Sequence, residues 1–204
     1  MRTLPRMTRS IILVLLFALR VAQCAACTAW ERLPVKLFND ASVGNEVLHP
    51  AKDDTAWLLK LVCVDVIWVP CAVVSRSNLT PCKAPDRAIE LHILSSPATN
   101  DFRDDTLGIA MPHFGSGNHA GVFLSRVRQK TAQNVGLIDL PELLGCVMAH
   151  EIGHLLLHST VHSSEGLMRT EFRVADLKKA AQRQLKFTSE QGEAIQRNAL
   201  APEQ

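Results

Sequence analysis

The sequence predicts a single α+β domain, with strands in its first half and helices in its second half. Short runs in which apolar and polar residues alternate occur before residue 128, a pattern typical of half-buried strands. Residues 141–157 follow as a long apolar stretch with helical periodicity, and two further helical stretches come after it. Strands followed by a buried helix and then by more helices indicate an α+β fold. About 180 residues remain once an export signal is set aside, which suits one domain with a substantial core.

Residues 1–26 are expected to be an export signal that does not belong to the fold. Three arginines precede the apolar run at 11–19, and small residues follow it, as in a signal peptide with its cleavage zone. The run is too short to span a bilayer well, so cleavage is favoured over a retained membrane anchor. The bulky Gln23 disfavours a lipoprotein attached through Cys24. Residues 27–204 are therefore expected to form a monomeric domain, secreted to the cell exterior or the periplasm.

The charge balance does not predict a nucleic-acid or membrane partner. The chain has 22 basic and 20 acidic side chains, and four of the basic ones are arginines of the predicted leader. The 18 that remain against 20 acidic side chains leave the mature domain about neutral. A basic patch for nucleic acid or for a membrane surface is therefore not expected.

The strands are assigned from alternating or β-branched runs, and the last of them is expected to be an edge strand beside the functional site. They are predicted at 33–40, 64–69, 88–94, 107–111 and 119–127. Residues 70–87, rich in Pro and Ser, are predicted to form a loop, and GSGN at 115–118 a turn.

The helices are predicted at 52–62, 141–157 and 171–184, with a last helix that ends near residue 199. Pro141 falls in the first turn of the second helix, where its missing N–H costs little. Thr188 and Gln191 have the spacing of a capping box and are expected to begin the last helix.

The six cysteines of an exported chain indicate an oxidising compartment. Cys71 and Cys82 bracket a short Ser/Asn/Pro-rich stretch, and we expect them to form a disulfide that closes this loop. Cys27 and Cys63 are left without an assigned partner. Cys146 lies one helical turn before a histidine of the long helix; a buried packing role is favoured over a metal-binding one.

Residues 150–168 read HEIGHLLLHSTVHSSEGLM and contain the motif that carries the most chemical information. His150 and His154 are four residues apart, so on a helix both imidazoles project from the same face. Two imidazoles on one face can hold a zinc ion, and the intervening Glu151 can act on a water molecule at that ion. The motif therefore predicts a catalytic zinc site.

A catalytic zinc needs a third protein ligand. A continuous helix would place His158 about 12 Å along the axis from the first motif histidine, too far for one ion. His162 follows a Ser-Thr pair that lets the chain turn back. His162 is therefore the preferred third ligand, with His158 and a carboxylate of Glu165 or Glu171 as the alternatives.

Glu151 is expected to be the general base, which takes a proton from the attacking water and passes it to the leaving amine. The chain has no tyrosine, so the oxyanion must be stabilised by zinc, by backbone N–H groups or by a histidine such as His119. His92, His113 and His119 are otherwise expected at the surface or in packing contacts.

The motif, a chain reversal, a third histidine and a Gly-Leu-Met turn resemble the metzincin metalloproteases, above all the matrixin-like ones. In that superfamily the third histidine lies six residues after the second, and a glycine between them turns the chain. Here His162 lies eight residues after His154, and His158 stands at the glycine position. This longer reversal is similar to that of uncharacterised secreted bacterial matrixin-like proteins. The resemblance is strong over residues 146–170 alone.

This resemblance implies a zincin-like single domain, with a mixed, mostly parallel twisted sheet packed on helices. It implies that the active-site helix carries HExxH, that the C-terminal part is helical, and that Met168 forms a floor beneath the zinc without binding it. The cofactor would be Zn²⁺ and the partner a protein or peptide substrate. PCKAPD at 81–86 is faintly similar to a matrixin cysteine switch, but a structural disulfide is preferred for Cys82.

The leading hypothesis is thus a secreted zinc-dependent endopeptidase whose substrate lies extended along residues 119–126. The alternative is a catalytically inactive zinc-binding or interaction domain on the same scaffold, suggested by the missing glycine. A third reading treats HExxH as a coincidence within a helical core.

Overall fold

The computed structural model describes residues 27, 30–71, 82–85, 87–99, 101–114 and 117–199. The predicted export signal, including Cys24, lies outside the described residues, and so does most of the loop predicted at 70–87. The division into a leader and a domain at residue 27 remains a prediction.

In the part of the chain that the structure describes, five strands form one twisted sheet in the order β2-β1-β3-β5-β4. The strands are β1 (Glu31–Phe38), β2 (Val64–Cys71), β3 (Ile89–Leu94), β4 (Gly108–Phe114) and β5 (Gly117–Phe123). The pairs β1–β2, β1–β3 and β3–β5 are parallel, and β4 is antiparallel to β5. The mixed, mostly parallel sheet is therefore confirmed.

Within the described residues, five helices accompany the sheet: α1 (Asn45–Lys60), α2 (Leu124–Ala132), α3 (Leu140–Leu157), α4 (Val174–Ala181) and α5 (Ser189–Ala199). The inward face of the sheet is apolar, because alternate residues of β3 (Ile89, Leu91 and Ile93) are buried. Helices α1 and α3 pack against each other and against the sheet. The predicted α+β architecture, with helices in the C-terminal part, is confirmed.

Local hydrogen bonding and a proline define where the central helix α3 begins. The backbone N–H of Asp139 donates to the Glu142 carboxylate at 3.0 Å, and Pro141 lies in the first turn as predicted. Among the described helices α3 is long and apolar enough to cross a membrane, but 78% of it is buried inside the domain. Its apolar surface is therefore explained by its place in the core.

The prediction that residues 119–127 form an edge strand is wrong. β5 lies inside the sheet, between β3 and β4, and the chain enters α2 at Leu124. The antiparallel strand β4 occupies the edge instead, because it folds onto the free side of β5. Alternation shows that a strand is half-buried, but it does not show how many neighbours the strand has.

The C-terminal helices differ from the prediction in length. The helix expected at 171–184 is confined to Val174–Ala181. The capping box before α5 is confirmed, because the Thr188 backbone N–H donates to Gln191 Oε1 at 2.9 Å and the Gln191 N–H donates to Thr188 Oγ1 at 3.3 Å.

Four of the cysteines are paired in the structure. Cys27 is bonded to Cys63, which ties the segment before β1 to the turn before β2. Cys71 is bonded to Cys82, so the loop after β2 is closed as the sequence predicted. Cys146 is a free, buried thiol on α3, and burial raises its pKa to about 12. It packs in the core and does not belong to the histidine group described below.

Candidate metal centre

Three imidazoles from α3 and the loop after it converge on one point. The Nε2 atom of His154 lies 3.0 Å from Nε2 of His150 and 3.3 Å from Nε2 of His162. The ligand atoms of the three residues all lie within 4.8 Å of one another. Among the described residues this is the group that could hold a metal ion, and His158, Glu165 and Glu171 do not belong to it.

Backbone carbonyls fix the orientation and the tautomer of two of the rings. The Nδ1–H of His150 donates to the Leu167 carbonyl at 2.7 Å, and the Nδ1–H of His154 donates to the Ser159 carbonyl at 2.8 Å. A carbonyl oxygen can only accept, so the proton of each neutral ring must lie on Nδ1. The Nε2 lone pairs are therefore left to face the common point, as in metal-ligating histidines.

Burial keeps these rings neutral. It lowers the pKa of His150 to about 3, with further lowering by the neighbouring His154. Burial also lowers the pKa values of His154 and His162. Neutral imidazoles are the form that binds a metal ion, so the site is ready to do so at neutral pH without first losing protons.

The geometry fits a tetrahedral zinc ion. With zinc–nitrogen bonds of about 2.0–2.1 Å, two ligand nitrogens in a tetrahedron lie about 3.3 Å apart. The two separations in the structure, 3.0 Å and 3.3 Å, are close to this value. Three nitrogen ligands leave a fourth position open, which is the arrangement of catalytic rather than structural zinc sites.

The chain reverses at His158 without the glycine that the resemblance expects there. His158 ends α3 in the left-handed conformation, with φ 50° and ψ 38°. The Ser159 backbone N–H then donates to the His154 carbonyl at 3.1 Å, which closes the helix end. The loop that follows brings His162 back to the motif, so His158 turns the chain and does not join the histidine group.

Met168 lies beneath the site. Its side chain is buried, and a Cβ atom on Gly153, between the two motif histidines, would lie 2.7 Å from its sulfur. The preceding Gly166 has φ +72°, a conformation that lets the turn form. The next residue, Leu167, supplies the carbonyl that orients His150. The turn at residues 166–168 therefore both packs against the helix that carries the two histidines and orients one of them.

Glu151 faces the cleft beside the histidine group. Its side chain is mostly buried and lines the cleft, and a Cβ atom on Gly108 of β4 would lie 2.6 Å from its Oε1 atom. The glycine therefore leaves the space in which this carboxyl group lies. Burial raises the pKa of Glu151 to about 8, because a buried carboxylate loses its hydration.

A cleft of about 410 Å³ runs past these residues. One side is the edge strand β4 with Leu107, and the other is α3 and the segment after Met168. Its lining comprises Arg103, Asp105, Thr106, Leu107, Gly108, Ile109, Ala110, Lys130, Val147, His150, Glu151, His154, Thr160, His162, Arg169, Thr170, Glu171 and Phe172. Such a concave site, with a few polar groups on apolar walls, is suited to binding an extended ligand.

His119, considered above as a group that stabilises an oxyanion, is not part of this lining. Its Nδ1 atom lies 3.0 Å from Glu90 Oε2, across the neighbouring strand. His92 stacks on Phe38 with ring centroids 4.3 Å apart, and its Nδ1 donates to Asp40 at 2.7 Å. These two histidines belong to a polar network on the sheet.

Sequence analysis missed three parts of the site. It did not identify Gly108 as the residue that makes room for Glu151, although a glycine at the start of a short strand is a readable signal of close approach. It missed β4 as the wall of the cleft. It also missed the charged residues at 103, 105 and 130, which meet at the site only through the fold.

Comparison with known proteins gives a likeness in structure alone. No family model matches the chain, and no curated protein matches it in sequence. An archaemetzincin from Methanopyrus kandleri is 18% identical, with a TM-score of 0.48, over 85% of this chain and 98% of that chain. Metalloproteinase-II from Bacteroides fragilis is 12% identical, with a TM-score of 0.54, over 85% of this chain.

The match covers 55% of metalloproteinase-II, so this chain corresponds to about half of that protein. At this identity the likeness establishes the fold and nothing of the activity. This chain therefore has the α+β, zincin-like fold of a metalloproteinase, with a group of three histidines that could bind a metal ion.

Proposed function

We propose that this protein is an exported zinc-dependent endopeptidase. The observation that carries the proposal is the convergence of three Nε2 atoms beside a buried glutamate, in a cleft along a free sheet edge. The fold shared with a protein named as a metalloproteinase supports the same function. Within that fold we propose a metzincin-type, matrixin-like enzyme, because the chain reverses after the motif and returns with His162 and Met168.

His150, His154 and His162 would hold the zinc through Nε2. Three neutral imidazoles with an open fourth position are a ligand set that suits zinc. When bound, zinc supplies Lewis acidity toward a water molecule and toward the scissile carbonyl. The carbonyls of Leu167 and Ser159 keep the first two rings aimed at the ion.

Glu151 would be the general base. It follows a ligand directly in sequence, lines the cleft, and is held against β4 at Gly108. A carboxylate whose pKa is raised by burial is a stronger base than an exposed one, once it is ionised. It would take a proton from the attacking water and return it to the leaving amine.

The peptide substrate would lie along β4. Within the described residues β4 pairs with β5 on one side, so the backbone groups on its other side are open to the cleft. An extended peptide can add to such an edge through main-chain hydrogen bonds. Residues 107–110 therefore replace 119–126 as the proposed substrate-binding strand.

Export is supported by the two disulfides. Disulfides form and persist outside the reducing cytosol. We propose that residues 1–26 are removed as a signal peptide and that residues 27–204 act as a monomeric secreted or periplasmic domain.

The function is tested by replacing Glu151 with glutamine. In the Glu151→Gln variant we expect one zinc per chain and a fall in kcat of about 10²–10⁴-fold, because the general base is lost while the ligands remain. The measurements are metal analysis and cleavage of a fluorogenic peptide library, with a chelator and added zinc as the reversible switch. Glu165→Gln is the matched control; it changes a nearby carboxylate outside the cleft and should leave activity and zinc content unchanged.

Wild-type protein that binds one zinc and cleaves no member of the library would indicate the inactive metal-binding domain instead. Absence of stoichiometric metal in the wild type would remove both functions. Full activity of Glu151→Gln would remove Glu151 from the mechanism.

A further inference from the structure

Next to the three imidazoles, the cleft has apolar walls that adjoin charged groups. Val147 lies one turn before His150 on α3, and the Phe172 ring is 5.8 Å from the His150 ring, so both adjoin the histidine group. Lys130, in the last turn of α2, and Glu171 line the same cleft. A ligand side chain between Val147 and Phe172 would therefore lie in the same cleft as the Lys130 ammonium and the Glu171 carboxylate.

The other cations of the lining are paired with carboxylates. Arg169 Nε lies 3.5 Å from Asp176 Oδ2, and Arg103 pairs with Asp105. Arg103 donates from Nε to Asp105 Oδ1 at 3.1 Å and from Nη2 to Asp105 Oδ2 at 2.8 Å. This two-bonded pairing joins one edge of the guanidinium to both oxygens of the carboxylate. Among the described residues, the Lys130 ammonium donates one hydrogen bond, from Nζ to Glu171 Oε1 at 3.3 Å. An ammonium has three donors, so this contact leaves further donors for a ligand.

The two partners of the Lys130–Glu171 pair differ in how firmly the fold holds them. The side chain of Lys130 is 19% exposed, whereas that of Glu171 is 46% exposed. Glu171 can turn into solvent at little cost, because a half-exposed ion pair contributes little to stability. Lys130 remains mostly buried in the wall of the cleft. A ligand carboxylate can therefore replace Glu171, whereas a ligand cation that pairs with Glu171 must lie beside the Lys130 ammonium.

From this asymmetry we infer that the cleft selects peptides with an acidic side chain next to the bond to be cleaved. Lys130 is the residue that determines this specificity, and Glu171 competes with the substrate for it. The inference rests on the proposed peptidase function, whose substrate class it names.

The first test measures binding without hydrolysis. Fluorescent peptides that carry Glu, Gln or Lys at each of the two positions flanking the cleavable bond are titrated into zinc-loaded Glu151→Gln protein. We expect one position at which the Glu peptide binds about tenfold more tightly than the Gln peptide, the size of one favourable charged contact. The Lys peptide should bind more weakly than the Gln peptide at that position.

The second test changes the two partners separately. Lys130→Met keeps the length of the side chain and removes its charge, so the preference for Glu over Gln should disappear. Glu171→Gln removes the competitor, so binding of the Glu peptide should tighten several-fold. Arg128→Met is the matched control, because Arg128 is an exposed cation on the same helix and does not line the cleft. It should leave the preference unchanged.

The outcomes separate this inference from the peptidase proposal. Cleavage by the wild type without a preference for acidic peptides, or with a preference for Lys that Glu171→Gln abolishes, overturns the inference and leaves the peptidase intact. A Lys130-dependent preference in binding, combined with no cleavage of any peptide by the wild type, supports the inference and overturns the peptidase. Equal loss of the preference in Lys130→Met and Arg128→Met would show a general charge effect and overturn the role of Lys130.

Discussion

At the scale of single residues, His158 shows how the chain reverses after the motif without a glycine. A residue with a Cβ atom in the left-handed region is strained by about 1–2 kcal/mol. His158 takes this conformation with φ 50° and ends α3 at the point from which the chain returns with His162. With His158 at this position, the chain still brings His162 back to His154, but the strained backbone at His158 lowers the stability of the domain.

Replacing His158 with glycine should relieve that strain. We expect His158→Gly to raise the free energy of unfolding by about 1 kcal/mol, which corresponds to about 2–4 °C in Tm for a domain of this size. Thermal unfolding of the metal-free protein measures the change. His158→Ala is the control, because alanine keeps the strained conformation and should give no increase. A lower Tm for His158→Gly than for the wild type would show that the imidazole itself stabilises the turn.

Sequence reasoning predicted well the residues whose chemistry is local. The four-residue spacing of His150 and His154 defines a helical face, and the Ser-Thr pair before His162 favours a turn, so the convergence of the three histidines was predictable. The close approach of Glu151 to Gly108 was not predictable, because it joins a helix and a strand that are 43 residues apart in the sequence. The same holds for Lys130 and Glu171, 41 residues apart.

At the scale of elements, the last helix α5 braces the loop that carries His162. The Nε2 of Gln191 donates to Ser163 Oγ at 3.0 Å, and the hydroxyl of Ser163 donates to the Glu165 carbonyl at 2.5 Å. The Ser163 backbone N–H donates to the Met168 carbonyl at 2.8 Å. The residue after the third ligand is thus tied both to α5 and to the turn beneath the site.

Breaking this brace should weaken zinc binding. We expect Gln191→Ala to lower zinc affinity about tenfold, the lower end of what loss of a supporting hydrogen bond costs a metal site. Affinity is measured by competition with a chromophoric chelator. Thr188→Ala is the matched control, because it also removes half of the capping box but leaves the Gln191–Ser163 bond intact. Equal affinities for the two variants would show that α5 contributes to helix capping alone.

Sequence patterns located the strands but did not determine their order in the sheet. The runs at 107–111 and 119–123 are both short and apolar, and nothing in them states which lies at the edge. The edge position of β4 follows from its antiparallel pairing with β5, a long-range outcome of the fold. The edge strand was therefore assigned to the wrong run from the sequence.

At the scale of the whole molecule, the metal site and the stability of the domain are coupled. The site joins the core helix α3 to the returning chain, and ligands from both are needed to complete it. A metal ion that binds the folded state and not the unfolded chain stabilises the fold by mass action. Its removal should leave a folded but less stable domain, since the core and both disulfides remain.

The three histidines make the stability of the folded domain depend on pH. Burial depresses the pKa values of the three histidines in the folded protein below the unfolded value of about 6.5. Their contribution to stability is therefore complete above that pH and is lost as the pH falls through the folded pKa values. The buried Glu151, whose pKa is raised to about 8, acts in the opposite direction, so the effect of the histidines is measured in the Glu151→Gln variant. We expect the Tm of this metal-free variant to fall from pH 7 to pH 4, and the increase in Tm caused by zinc to vanish over the same range.

Calorimetry of the metal-free and zinc-loaded Glu151→Gln variant between pH 4 and pH 8 checks this expectation. A variant that combines His150→Gln with His154→Gln is the control and should show no zinc-dependent increase at any pH. A zinc effect of equal size in this variant would place the metal elsewhere on the molecule.

Gly108 gives the edge strand a second role in this architecture. Gly108 lies on the proposed substrate strand and also leaves room for Glu151, because a Cβ atom there would lie 2.6 Å from Glu151 Oε1 and 2.7 Å from the Gly121 carbonyl oxygen. Under the proposed function, peptide docking and proton transfer would therefore both depend on β4. Under the proposed function, Leu107 and Ile109 are therefore the positions to vary for a change in cleavage preference, whereas any larger residue at position 108 is expected to displace Glu151 or the β5 backbone.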